Sequence, residues 1–208
     1  MEIKVCGLKE PRNIAEVAAL GPDYMGFVFY RDSPRYAGRL PADALRALPA
    51  FIRKIGVFVD EDESEIIRIA AHYVLDGIQL HGSESPETCR ALSRIVPVIK
   101  AVSVRSGNDL RKAARYEGCC SALLFDTRHR LRGGSGEQFD WEILGNYTAP
   151  TPFFLSGGIG PGDADRLRTL AHPRLRAIDL NSRFETSPGL KDTGLLGTFF
   201  SHLKQTTL

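Results

Sequence analysis

Cys6 and Asp126 are the two side chains best set for proton chemistry. Cys6 ends the apolar run Ile3–Cys6 and precedes Gly7. A thiol there is a nucleophile or proton abstractor if positive charge or helix N-termini lower its pKa; a buried structural cysteine is the competing reading. Asp126 follows Leu123-Leu124-Phe125 and is either a cap to the next loop or an acid in a sheltered site. Facing each other across a narrow opening, the two would make a base and an acid with separated proton affinities.

Other residues offer binding. Arg35, in Asp32-Ser33-Pro34-Arg35-Tyr36, carries a guanidinium that can grip a carboxylate with two hydrogen bonds, on a loop that proline stiffens. From the loop alone, a solvated arginine is an equal reading. Ser156-Gly157-Gly158 and Asn181-Ser182-Arg183 follow two late apolar runs, where backbone N–H groups can hold a phosphate; tight turns that merely need glycine are the alternative. An arginine at position 183 would be drawn to such a phosphate unless Glu185 or Asp192 competes for it. His81 reads as a pocket group and a candidate substrate-binding residue, or as one that supports the residues in contact with substrate. The Gly133-Gly134-Ser135-Gly136 segment has the flexibility to close over a substrate, but no Gly-Lys-Ser/Thr makes it a P-loop.

Positioning these groups requires a scaffold. Apolar, β-branched runs recur at Ile3–Cys6, Tyr24–Phe29, Lys54–Val59, Gly77–Leu80, Val96–Val102, Cys120–Phe125, Thr151–Leu155 and Ala177–Leu180. Between them lie helical patterns beginning near Pro11, Pro41, Asp62, Ser85, Asn108, Phe139 and Pro161, with another after the last strand at Thr193. Runs buried on both faces argue for a parallel sheet covered by helices. Eight strand–helix units in 208 residues, with no linker between them, predict a single α/β domain over 1–208, a (β/α)8 TIM barrel. A doubly wound open sheet is the runner-up. In a barrel the site lies at the carboxyl ends of the strands, which is where Cys6, His81, Asp126, Gly157 and Ser182 fall.

Composition narrows the class. A net charge of +2 with basic residues spread along the chain is too mild for a nucleic-acid footprint and fits a small anionic ligand better. No run approaches a membrane span. The strand pattern begins at once, leaving no room for a signal peptide, so a cytoplasmic protein is expected. Cys6, Cys89, Cys119 and Cys120 have no zinc-ligand spacing. The last two are expected in a strand, packed on opposite faces.

Together these residues resemble the phosphoribosylanthranilate isomerase family of tryptophan biosynthesis. The matching pieces are Lys4-Val5-Cys6-Gly7, Gly26-Phe27-Val28-Phe29 with Ser33-Pro34-Arg35, Gly56-Val57-Phe58-Val59 and Gln79-Leu80-His81-Gly82. They continue with Lys100-Ala101, Phe125-Asp126, Gly133–Gly136 with Phe139-Asp140-Trp141, and Leu155-Ser156-Gly157-Gly158-Ile159. The last are Asp179-Leu180-Asn181-Ser182 running to Glu185, then Pro188-Gly189 and Lys191-Asp192. The resemblance implies an Amadori rearrangement without cofactor or metal, acting on a small anionic phosphosugar. It implies Asp126 as general acid, Cys6 as general base, Arg35 on the anthranilate carboxylate, and Gly157, Gly158, Ser182 and Arg183 around the phosphate. Neither nucleic acid nor membrane is an implied partner, and monomer and homodimer both stay open. The chain departs from the family pattern at Arg183, where a small residue is usual, and at Leu8-Lys9, where threonine follows the Cys-Gly pair. A barrel isomerase of two-phosphate histidine-pathway intermediates would typically carry aspartate in place of Cys6, and a barrel without catalysis would gain nothing from the opposed acid and thiol.

Overall fold

The computed structural model describes residues 1–127 and 140–204. Eight parallel strands close on themselves in sequence order: β1 (Glu2–Cys6), β2 (Tyr24–Val28), β3 (Arg53–Phe58), β4 (Gly77–Leu80), β5 (Val98–Val104), β6 (Ala122–Thr127), β7 (Phe153–Leu155) and β8 (Leu175–Leu180). The expected TIM barrel is what forms, because most of the strands are apolar on both faces. Tyr24, Ile55, Ile99, Leu124 and Phe154 fill the interior, while alternate residues such as Ile3, Val5, Phe27 and Ile178 pack outward in the shell beneath the helices.

The covering helices are α1 (Pro11–Ala19), α2 (Ala42–Arg46), α3 (Glu63–Tyr73), α4 (Pro86–Ser93), α5 (Gly107–Ala113), α6 (Ala164–Thr169) and α7 (Thr193–Lys204). Their starts follow local chemistry. Proline opens α1 and α4 at a position whose N–H would go unused, and Ser85 caps α4 by accepting from the Thr88 N–H at 3.2 Å. No helix among the described residues is long and apolar enough to cross a membrane.

Three expectations need correction. The helix expected from Phe139 is a 3-10 segment, Trp141–Asn146, anchored by the buried Trp141 and Leu144; Phe139 itself, like Gly133–Gly136, lies outside the described residues. β5 begins two residues late, at Val98, because Pro97 has no N–H to give a ladder; its carbonyl still accepts from Ile78. Cys119 and Cys120 sit in the turn before β6 rather than in the strand, with Cys119 buried and Cys120 half-buried. Their packing role is unchanged: Arg90 donates to the Cys119 sulfur at 3.0 Å.

The amino-terminal mouth is closed by an ionic cluster. Glu2 accepts from the Tyr24 hydroxyl at 2.7 Å, from Arg176 at 2.9 Å and from Arg53. A small antiparallel hairpin, β9 (Glu185–Ser187) and β10 (Leu190–Lys191), which the sequence pattern did not reveal, follows β8 at the opposite mouth.

Candidate active site

Cys6, the last residue of β1, is buried and faces inward with Val28 and Val57. The neighbouring strand leaves room for it only because residue 26 is glycine: a Cβ there would stand 2.6 Å from the sulfur. Two residues back on the same face, Lys4 is fully buried and its Nζ donates to Asp179 Oδ1 at 2.9 Å. That pairing keeps the ammonium charged against its burial. The expectation of cations beside the thiol is met by Lys4 and, at longer range, Lys191. Burial is nevertheless the larger effect, and the Cys6 thiol sits above its ordinary value despite both lysines.

Asp126 lies one residue before the end of β6 and is less sheltered than its apolar neighbours imply, with 29% of its side chain exposed. Its Oδ1 accepts from the Thr127 N–H at 2.9 Å, and its Oδ2 lies 3.3 Å from His81 Nε2. His81 follows β4, and its Nδ1 is 2.9 Å from the amide nitrogen of Gln79, two residues earlier on the same face. Asp179 lies within electrostatic reach of both Asp126 and His81. It also stands beside Cys6, so one buried carboxylate lies between the two sides of the site.

Arg35 is not a solvated arginine. Its side chain is only 12% exposed and is gripped along one edge by Glu185, through Nε at 2.9 and 3.2 Å and Nη2 at 2.6 Å. Nη1 and the outer N–H of Nη2 have no partner among the described residues, which leaves a second two-donor edge. Glu185 in turn accepts from Lys191 Nζ at 2.8 Å and from the Gly189 N–H at 3.1 Å. Burial pushes its carboxyl up, but Arg35 and Lys191 outweigh this and hold it below the usual range. The late Pro-Gly-x-Lys-Asp motif thereby acquires a physical meaning. Pro188-Gly189 turns the hairpin, Lys191 braces Glu185 against Arg35, and Asp192 accepts from the Leu195 N–H to start α7. Both acids near Arg183 in sequence thus have partners of their own.

The Cys-Gly pair is explained by the same assembly. Gly7 has φ of +83°, and a Cβ on it would stand 2.7 Å from both Arg35 Cδ and Asn181 Oδ1.

The two late loops come together. Gly157 and Gly158 both have positive φ, +91° and +71°, and a Cβ on Gly157 would stand 2.3 Å from Thr127 Oγ1. Ser182 and Arg183 open a 3-10 turn directly after β8. The Arg183 stem lies 3.9 Å from the Cβ position of Gly160, so the two loops are neighbours, with Arg183 exposed beside them. Lys4, Gln79, Asp179, Glu185 and Lys191 carry much of this geometry, although in the sequence they stood out only within matched motifs, or as a competitor for Arg183, with none of these contacts. For Lys4, Gln79 and Asp179 the available signal was charge or amide inside runs otherwise apolar, which demands a buried partner.

Comparison with known proteins shows which family the chain is similar to. The family model described as N-(5'-phosphoribosyl)anthranilate (PRA) isomerase matches residues 3–202. The chain is 46% identical over 206 residues to N-(5'-phosphoribosyl)anthranilate isomerase of Parabacteroides distasonis, covering 98% of this chain and 93% of that one. It is 39% identical over 210 residues to the Rhodospirillum centenum protein of the same name, covering 97% of each. Among solved structures, phosphoribosyl anthranilate isomerase from Thermotoga maritima superposes with a TM-score of 0.85 at 32% identity, covering 98% of both chains. A phosphoribosyl anthranilate isomerase in complex with reduced 1-(o-carboxyphenylamino)-1-deoxyribulose 5-phosphate superposes with a TM-score of 0.81 at 30% identity, again over 98% of both.

Proposed function

The chain belongs to the N-(5'-phosphoribosyl)anthranilate isomerase family and catalyses the Amadori rearrangement of tryptophan biosynthesis, and from that premise we propose that Cys6 and Asp126 carry its two proton transfers. Asp126 gives a proton to the ribose ring oxygen, the C1′–O bond breaks, and the anthranilate nitrogen lone pair forms the Schiff base. The iminium is an electron sink that acidifies the C2′ proton, which the Cys6 thiolate removes to give the enolamine. Tautomerisation of the enolamine gives the ketone, 1-(2-carboxyphenylamino)-1-deoxyribulose 5-phosphate.

Arg35 binds the anthranilate carboxylate with the edge that Glu185 leaves open, and Gly157, Gly158, Ser182 and Arg183 bind the phosphate at the other end. Holding two anionic ends apart fixes C2′ between thiol and carboxyl and shields the open-chain intermediate. The four free cysteines support work in a reducing, cytoplasmic setting. The observation that supports the assignment is Cys6 within electrostatic reach of the buried Lys4 ammonium, at the same mouth as the part-exposed Asp126.

The test is to follow phosphoribosylanthranilate fluorescence with Cys6→Ala and Asp126→Asn. Each should lower kcat by ~10²–10⁴-fold without altering the thermal melt. Near-normal turnover in either variant removes that residue from its role.

A further inference from the structure

We infer that His81 returns a proton to Asp126 after each turnover, with the Gln79 amide turning to follow the proton. The inference rests on Asp126 being the general acid. Each catalytic cycle takes a proton from Asp126 and deposits a different one on Cys6, so the acid must be recharged. Among the described residues, His81 is the only ionisable side chain in ion-pair contact with Asp126, at 3.3 Å. That distance is long for a hydrogen bond and closes with a small rotation of either side chain. The ring is 34% exposed, so it exchanges protons with water.

Gln79 supplies the second observation. Where the amide nitrogen faces Nδ1, that atom accepts and the proton of the neutral ring sits on Nε2, beside the Asp126 carboxylate. This is the discharged arrangement. It leaves Gln79 Oε1 buried without a partner. Turning the amide by half a revolution fills the same space and presents Oε1 to Nδ1 instead. The ring then takes a proton from water and becomes imidazolium, with Nδ1–H donating to Oε1. Transfer follows: the Nε2–H bond breaks, its electron pair stays on nitrogen, and a new O–H bond forms on Asp126. The ring is left neutral, with its Nδ1–H still held by Gln79, and Asp126 is charged for the next substrate; loss of the Nδ1 proton to water, uptake of one at Nε2 and the return turn of the amide then restore the starting arrangement.

The surroundings keep the ring in place. The His81 N–H donates to the Phe58 carbonyl at 2.8 Å, and Lys100 Nζ donates to the Gly82 carbonyl at 2.8 Å. The other charged groups facing this segment are committed elsewhere. Asp179 is paired with Lys4, Glu84 with Lys100 and the Gly82 N–H, and Asp60 accepts from Ser83. His81 is therefore a positioning residue, acting on the substrate only through Asp126.

The experiment compares wild type, His81→Ala, Asp126→Asn and the double variant, with and without added imidazole, across a pH series. His81→Ala should lose about tenfold or more in kcat with KM nearly unchanged, and should regain rate in proportion to imidazolium concentration. The double variant should show no rescue. His81→Gln keeps a partner for Gln79 and should behave as His81→Ala does, which covers poor folding of the alanine variant. Full kcat in both His81 variants, or a loss that imidazole leaves untouched, overturns the relay. A raised KM at constant kcat would likewise overturn it and make His81 a substrate contact. An active Asp126→Asn would instead overturn the acid assignment beneath it, which separates the two failures.

Discussion

Lys4 and Asp179 stand directly opposite each other where the last strand closes on the first, with Nζ 2.9 Å from Oδ1 and both side chains buried. The pair therefore seals the barrel and also holds an ammonium next to Cys6. A buried charge left without its partner costs about 3–5 kcal/mol. Lys4→Met should lower the free energy of urea unfolding by about that much, and Lys4→Met with Asp179→Leu should recover most of it.

Activity should not recover with stability. The base form of Cys6 is the thiolate, so kcat/KM rises with pH as the thiol ionises. Lys4 pulls the thiol down against its burial, whereas Asp179 pushes it up; without Lys4 the thiol moves further up, and the rising limb shifts to higher pH in Lys4→Met and by less in the double variant. A pH profile unchanged from wild type would show that the ammonium serves the seam alone.

Gly7 links the base to the carboxylate grip. At φ of +83° any other residue adds about 1–2 kcal/mol of strain, and its Cβ would push on Arg35 and Asn181. Arg35 cannot yield without leaving Glu185. Arg35→Ala should raise KM with little change in kcat, since its contact is remote from the reacting carbons. Gly7→Ala should raise KM in the wild-type background and add little in the Arg35→Ala background. Equal KM increments in both backgrounds would place the effect of Gly7 elsewhere.

The strands and most helices were legible because each uses a local signal: runs apolar on both faces, then proline or serine at a helix start. Cys6, Asp126 and the glycine pair stood out by falling at strand ends, and Arg35 by its place in a proline-stiffened loop where a solvated arginine was an equal reading. Lys4 was not, because its partner lies 175 residues away and meets it only when β8 closes on β1. Glu185 read as a competitor for Arg183, since sequence proximity cannot show that Arg35 crosses 150 residues to reach it. His81 read only as a pocket group, because its contact with Asp126 spans β5, where the inward residue between them is the small Ala101. Pairings across strands are set by closure, which periodicity does not record.

At the other mouth Glu2 gives a pH prediction. Burial pushes its carboxyl up, but hydrogen bonds from Tyr24, Arg176 and Arg53 outweigh this, so its folded pKa lies below its unfolded one. The stabilisation is then complete above the unfolded value, near ~4.3, and is lost as pH falls through the lower folded value. Glu2→Gln should be less stable than wild type at pH 7, and the difference should shrink on acidification below about pH 4. Urea titrations at both pH values measure it; a difference independent of pH would mean that the cluster stabilises by packing alone.

Arg183 is where this chain departs from its family's small residue, and its position makes the consequence measurable. Its stem lies over Gly160 at the junction of the two late loops, and the residue is exposed. A phosphate held by these loops therefore meets a cation that a small residue would not supply. A part-exposed ionic contact is worth up to about 1 kcal/mol, which corresponds to roughly fivefold in affinity. Arg183→Ala should accordingly raise KM by up to about fivefold with kcat little changed, and weaken inhibition by inorganic phosphate in parallel. Both effects should diminish from low to moderate salt, because an exposed contact is screened. An inhibition constant for phosphate that is unchanged at low salt would leave the binding to the loop backbone at Gly157, Gly158 and Ser182.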